Sequence, residues 1–198
     1  MNSKKTGLYL GTFDPFHKGH YRSIENSLEL VDEIIIQPHN PKVQSKKHIS
    51  LEHRLNMCKL GSSKLNNVRV RKEKRNVYDL RKDGKYRYQL IKWVEEEIGR
   101  TPLVIMGSDK LNNKMYKDSK GELLEIPHII FLRLEAHHPE PDLYIKAIKT
   151  LFTEVYLLKE VGDVSSSTIR ELVRKGIDIS RLVPKNVLKY IKENKLYI

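Results

Sequence analysis

Short runs of β-branched and other apolar residues punctuate the chain at regular intervals: GLYLG (7–11), EIIIQP (33–38), VRV (68–70), PLVIMG (102–107), HIIFLR (128–133) and EVYLLK (154–159). Each is too short for a helix and reads as a strand. Between them apolar positions recur at spacings of three and four. Tyr21, Ile24, Leu28 and Val31 mark a first helix, Leu51, Leu55 and Cys58 a second, and Leu90, Ile91, Val94 and Ile98 a third. Past Ser165 two more helices are expected, over 167–175 and 184–193, with Pro184 in the first turn of the latter, where its missing N–H does no harm. Strands alternating with helices of roughly 10–15 residues predict βαβ units. The expected fold is therefore α/β: a doubly wound, mostly parallel sheet with helices on both faces, followed by C-terminal helices.

In such a sheet a ligand lies outside the carboxyl ends of the strands, where the strand order reverses. The loops after Leu10, Pro38 and Gly107 are expected to meet there. No internal repeat, low-complexity segment or shift in composition divides the chain, so residues 1–198 are expected to form one domain, large enough to bury about 70% of the unfolded surface.

Charge narrows the ligand. The chain carries 37 Lys and Arg against 25 Asp and Glu, a net +12, which favours an anionic partner: nucleic acid, an acidic membrane surface or small phosphates. The densest basic stretch, RVRKEKRNVYDLRKDGKYRY (69–88), holds nine cations against three acids and reads most simply as a solvated face or loop. No apolar run approaches the about 18 residues of a membrane span. The opening MNSKKTGLYLGTF lacks the apolar core of a signal peptide, and the single Cys58 cannot form an internal disulfide, so the cytoplasm is the expected compartment. Cys58 itself lies on an apolar helical face and is expected in the core.

The chemistry concentrates in LGTFDPFHKGH (10–20). Gly11 is expected to end the first strand in a tight turn, and Gly19 to remove a side chain where the next helix begins, so that phosphates can approach the backbone. The three-residue spacing of His17 and His20 stacks both imidazoles over one turn of a helix N-terminus, whose unsatisfied N–H groups favour an anion. The pair is suited to polyphosphate. Zinc held by the two histidines and Asp14 is the competing reading, although the spacing is not H-E-x-x-H and no further Cys/His cluster is evident. A core or capping role accounts for either histidine alone. A G-x-G-x-x-G loop is absent.

A second stretch, VSSSTIRELVRKG (164–176), opens a helix with serines that can cap it, and Thr168 with Glu171 fits a capping box. Arg170 is the misfit. A cation in the first turn opposes the helix dipole by about 0.3–1 kcal/mol, a penalty that an incoming phosphate reverses.

GTFDPFHKGH resembles the signature of the HxGH nucleotidyltransferase superfamily, and VSSSTIR, with Val164, Ser165, Ser166, Ser167, Ile169 and Arg170 in matching places, resembles the I-S-S-T-x-I-R motif of its adenylyltransferases. LVPKNVLKYIKENKLY (182–197), HRLNM (53–57) and GSDKL (107–111) are similar in order and spacing to nicotinate-nucleotide adenylyltransferases. The resemblance spans nearly the whole chain. It implies a Rossmann-like nucleotidyltransferase that moves AMP from ATP to nicotinate or nicotinamide mononucleotide, releasing pyrophosphate, in NAD biosynthesis. Mg²⁺ is expected to accompany ATP through phosphate oxygens and water, with no dedicated metal ligands. The implied ATP site comprises Gly11, Thr12, Phe13, His17, Gly19 and His20, with Gly107 and Asp109 beside the adenosine and Ser166, Ser167 and Arg170 on the β- and γ-phosphates. His17, His20 and Arg170 are the implied catalytic residues, His20 stabilising the leaving pyrophosphate.

The acceptor side departs from the family pattern. Leu10 and Gly11 stand for two glycines, HNPK ending at Lys42 stands for PPHK, and YRYQLI (86–91) stands for Y-T-x-D-T-L, with Arg87 for Thr and Gln89 for Asp. Tyr116 is the nearest aromatic to a tryptophan expected after the G-x-D motif. The only tryptophan, Trp93, falls on a core helix. Lys42, Tyr86, Arg87 and Tyr116 are the acceptor candidates. An inward-pointing Arg87 pairs with a ring carboxylate and favours nicotinate; a solvent-facing one has no such role. His137 and His138 read as surface loop, as do Lys46 and Lys47. Two alternatives remain: an HxGH transferase with another phosphorylated acceptor, and a basic nucleic-acid-binding protein, which would lack any RNP, KH or zinc-finger signature. No nucleic-acid or membrane partner is expected.

Overall fold

The computed structural model describes residues 4–39, 48–75, 86–111, 121–132, 140–159 and 164–198. Six strands form one sheet: β1 (Thr6–Gly11), β2 (Glu33–Pro38), β3 (Val68–Val70), β4 (Leu103–Gly107), β5 (His128–Leu132) and β6 (Val155–Lys159). Their order is β3-β2-β1-β4-β5-β6, and every neighbouring pair is parallel. Both sides of a parallel sheet are covered by crossover helices, so its strands read as unbroken apolar runs. β2 shows this directly, with Ile34, Ile35 and Ile36 all fully buried on alternate faces.

One face carries α1 (Lys18–Ser27), α2 (Leu51–Ser62), α5 (Ser166–Arg174) and α6 (Lys185–Glu193), which bring Ile24, Met57, Cys58, Ile169, Val187 and Ile191 into a core with Ile34, Ile36 and Ile105. The other face carries α3 (Tyr86–Ile98) and α4 (Pro141–Leu151), whose Ile91, Val94 and Ile148 pack on Leu8, Leu10, Ile35 and Val104. Each fully buried aliphatic side chain contributes about 1.5–3 kcal/mol of transfer free energy. Cys58 is buried in the first core, and burial pushes its thiol up. Among the described residues, no helix is long and apolar enough to cross a membrane.

The expected elements match within a residue or two at most ends, and four differences have local causes. The first helix stops at Ser27, where the Leu28 N–H turns to Asn26 and Ile24 carbonyls; Val31 still enters the core, but from the following loop. The last helix begins at Lys185 with Pro184 as its cap residue. The helix Ser166–Arg174 is capped by Ser165, whose Oγ accepts from the Thr168 N–H at 3.1 Å, so Thr168 sits at the third position and Glu171 pairs with Lys175 instead of closing a box. The helix Pro141–Leu151 carries no expectation from the spacing of apolar residues, because only Ile148 is buried on it and Leu143 and Leu151 face solvent.

The described part of the basic stretch is largely tied down by acids. Arg71 holds both Glu73 and Glu97 and donates to Gln37, Arg75 reaches Glu96 and lies 4.9 Å over the Trp93 ring, and Lys72 meets Glu52. Residues 76–85 of the stretch lie outside the described residues.

Candidate active site

At the carboxyl ends of β1 and β4, where the strand order reverses, a cavity of about 380 Å³ opens. Its wall brings together the loops after β1, β2 and β4, the N-terminal turn of α3 and the N-terminal turn of α5. Leu10, Gly11, Thr12, Phe13, His17, His20, Arg87, Gly107, Asp109, Ser166, Ser167 and Arg170 all line it. Sequence positions as far apart as Leu10 and Arg170 therefore face one volume.

The β1–α1 loop is built around Phe13. This residue has a left-handed backbone (φ 52°), which costs about 1–2 kcal/mol for a side chain of this kind. Its ring folds back over Gly11, where an added Cβ would stand 2.8 Å from it, and packs edge-on against Tyr9 and His20. Gly11 therefore leaves room for an aromatic ring, and the turn itself is made by Phe13, contrary to the expectation from the glycine.

His17 is the N-cap of α1. Its Nδ1 accepts the His20 N–H at 3.3 Å, while His20 Nδ1 accepts the His17 N–H at 3.2 Å. The two residues thus form a capping box with imidazoles in place of hydroxyl and carboxylate, their rings stacked 3.6 Å apart. The arrangement sets the tautomer: a ring nitrogen that accepts a backbone N–H is unprotonated, so the proton resides on Nε2 of each ring. Gly19 belongs to the same device, since a Cβ there would lie 3.0 Å from two atoms of the His17 ring. The absent side chain at Gly19 thus makes room for this imidazole.

The α5 N-terminus joins the wall through its own side chains. Ser166 Oγ donates to the Pro15 carbonyl at 3.0 Å, and Arg170 Nη1 donates to the Asp14 carbonyl at 2.6 Å. Arg170 also reaches Ser167 Oγ at 3.4 Å. The misfit of a cation near this helix start is thus offset within the protein by the β1–α1 loop. Two helix N-termini, each capped by a side chain, border one cavity, an arrangement that favours anions.

Asp109 and Lys110 occupy the 3-10 turn Ser108–Lys110 after β4, paired at 2.5 Å, and both line the cavity. Arg87, in the first turn of α3, lines the same volume. Tyr86 meets the site through His39, whose ring is 5.6 Å away. Lys42, Lys46, Lys47, Tyr116, His137 and His138 lie outside the described residues.

Two residues of this region do more than the sequence reading assigns, which weighs Asp14 only as a zinc ligand and gives Arg54 no role of its own. Arg54 is almost fully buried and donates to the carbonyls of Thr12 (2.8 Å), His39 (2.8 Å) and Ile49 (3.4 Å), lacing together the loops after β1 and β2 and the entry to α2. Burial pulls its guanidinium below the ordinary arginine value, and the Asp14 carboxylate holds it the other way. The detectable signal was its place on the helical face of Leu51, Leu55 and Cys58. Asp14, fully buried, receives His48 on one oxygen and Tyr197 on the other. Nothing in the local sequence marks those partners. Among the described residues no three His, Cys, Asp or Glu side chains converge as a metal requires, and the Asp14 oxygens already hold donors.

Residues 8–172 match the family model described as cytidylyltransferase-like. A probable nicotinate-nucleotide adenylyltransferase of Dehalococcoides mccartyi is 32% identical over 205 residues, covering 100% of this chain and 98% of the relative. One of Lactococcus lactis is 30% identical over 204 residues, covering 99% and 96%. In three dimensions the chain is similar to Plasmodium falciparum nicotinic acid mononucleotide adenylyltransferase complexed with APC, with a TM-score of 0.70, 22% identity, and coverage of 98% of this chain and 97% of the other. That likeness concerns the fold.

Proposed function

The chain belongs to the cytidylyltransferase-like family and, within it, to the nicotinate-nucleotide adenylyltransferases, and from that premise we propose that it transfers AMP from Mg·ATP to nicotinate mononucleotide, releasing pyrophosphate and making the dinucleotide precursor of NAD. The observation that carries this reading is the mutual cap of His17 and His20, which turns both Nδ1 atoms to the backbone and fixes both rings in the wall of a cavity bordered by two helix N-termini.

The reaction needs no protein nucleophile. An oxygen of the acceptor's phosphate attacks the α-phosphorus of ATP in line, the bond from that phosphorus to the α,β-bridging oxygen breaks, and its electron pair leaves with pyrophosphate. Positioning and charge neutralisation do the catalysis. His17 and His20 donate to the ATP phosphates, His20 to the charge that develops on the leaving group; Ser166, Ser167 and Arg170 receive the β- and γ-phosphates. Thr12 and Phe13 shape the floor beneath them, and Gly107 and Asp109 border the adenosine. Mg²⁺ enters as part of the substrate, held by phosphate oxygens and water.

Arg87 supports the choice of acceptor. In the cavity wall, its planar fork matches the ring carboxylate of nicotinate and offers nothing equivalent to an amide. Tyr86, Lys42 and Tyr116 complete the proposed acceptor side. An ATP substrate and a single buried thiol accord with a cytoplasmic reaction.

The deciding experiment is pyrophosphate release from ATP and, separately, CTP, each offered with nicotinate mononucleotide, nicotinamide mononucleotide or phosphopantetheine. Release is expected with ATP and nicotinate mononucleotide. Activity confined to CTP or to phosphopantetheine overturns the assignment.

A further inference from the structure

Asp14 has a carboxylate that is 0% exposed, yet the residue contributes to the cavity wall. Tyr197 donates its hydroxyl to Oδ1 at 2.7 Å, and Nδ1 of His48 meets Oδ2 at 2.7 Å. The Arg170 guanidinium stops 3.9 Å from Oδ2 and donates to the Asp14 backbone carbonyl at 2.6 Å instead. An arginine beside a carboxylate ordinarily closes into a short, often bidentate pair. Here each carboxylate oxygen already holds another donor.

We propose that Tyr197 is a positioning residue: by holding Oδ1 of Asp14 it keeps the carboxylate from closing onto Arg170, whose charge stays directed at the phosphates of the nucleotide. The proposal rests on the reading of the cavity as an ATP site. Opposite charges attract strongly where water is excluded. With Oδ1 released, the carboxylate is free to rotate toward Arg170, whose Nη1 stands 3.9 Å from Oδ2, and neutralises the charge that a triphosphate would meet; a carbonyl partner leaves that charge intact. The segment past α6 is shaped for the task. Lys195 and Tyr197 have left-handed backbones (φ 48° and 68°) around the buried Leu196, which turns the phenol back toward the β1–α1 loop. Burial, and then the Asp14 charge, push the phenol up, so it remains a donor.

The test compares Tyr197→Phe with Tyr190→Phe, whose hydroxyl instead bridges His53 and Asn56. Mg·ATP binding is measured by calorimetry without acceptor, and KM for each substrate is measured in the steady state. Tyr197→Phe is expected to weaken Mg·ATP binding about tenfold and raise KM for ATP, the loss of roughly one charged hydrogen bond, with KM for the pyridine mononucleotide unchanged. Tyr190→Phe is expected to bind Mg·ATP as the parent does. A hydroxyl with only a structural role would lower thermal stability in both variants and ATP affinity in neither. Adding Asp14→Asn to Tyr197→Phe should restore ATP binding, because an amide cannot neutralise Arg170. Should that double variant not fold, Tyr197→Phe is combined with Arg170→Ala, where no additional loss of ATP affinity is expected; a further tenfold loss overturns the proposal. Parent-like ATP affinity in Tyr197→Phe does the same. A parent that binds no Mg·ATP overturns the functional reading first and this inference with it.

Discussion

His17 and His20 hold each other's backbone N–H through Nδ1, at 3.3 and 3.2 Å, and stack at 3.6 Å. One pair of side chains therefore caps the helix and sets both tautomers. In the proposed mechanism, replacing His20 with alanine removes a donor to charge that develops in the transition state. The expected result is a fall in kcat of roughly 10²–10³ with a modest change in ATP affinity, read by steady-state pyrophosphate release. The His17 N–H loses its Nδ1 acceptor, which should lower stability by about 1 kcal/mol, while the His17 ring still caps the backbone N–H of residue 20. Activity within a few-fold of the parent would remove His20 from the mechanism.

Arg87→Ala separates acceptor recognition from chemistry. The ratio of kcat/KM for nicotinate over nicotinamide mononucleotide is expected to fall, because the neutral amide loses less when a guanidinium leaves the wall. Both substrates are assayed with both proteins. An unchanged ratio leaves Arg87 without a recognition role, and a parent that prefers the amide reverses the substrate assignment.

Arg54→Met tests the lacing of the site loops. The variant keeps much of the side-chain volume but leaves the Thr12, His39 and Ile49 carbonyls without their donor. Expected are a loss of roughly 3 kcal/mol in unfolding free energy and a rise in KM for ATP, since the displaced β1–α1 loop carries the histidines. Chemical denaturation and kinetics read the two separately.

His128 predicts a pH dependence of stability. It is buried at the start of β5, donates Nδ1–H to the Ile126 carbonyl, and burial lowers its pKa from 6.5 to about 4. Between those values the unfolded chain binds a proton that the folded one refuses. Stability is therefore full above pH 6.5 and is lost as pH falls toward 4, by up to about 3 kcal/mol from this group. Unfolding free energies at pH 7.5 and 4.5 should differ less in His128→Gln than in the parent; an identical difference would show that other groups govern the acid loss.

The net charge of +12 invites a duplex-binding test. Arg69, Arg71, Lys72 and Arg75 of the basic stretch already face Glu52, Glu73, Glu96 and Glu97, so only weak, nonspecific binding is expected. A true footprint would give submicromolar affinity at physiological salt and a slope of log K against log salt of about −5 or steeper. That result, with no pyrophosphate release, would reverse the ranking of functions.

The sequence by itself determined the α/β architecture, the strands and most of the residues that line the cavity at the carboxyl ends of β1 and β4, because these depend on local patterns. Strand runs such as Ile34–Ile36 are apolar on both faces only when helices cover both sides of a sheet, and a strand followed by a turn and paired histidines is legible within eleven residues. The helix Pro141–Leu151 escaped because it packs mainly through Ile148, too sparse a stripe to register as a period. The inner structure of the site was decided only by the tertiary fold. Arg54 reaches carbonyls as many as 42 positions away, and Asp14 meets a phenol 183 positions away. Such pairs follow no spacing rule, since what brings them together is the packing of α2, α5 and α6 on one face of the sheet. Local sequence shows which groups are present; the three-dimensional contacts decide which of them a buried carboxylate holds and which it leaves for the ligand.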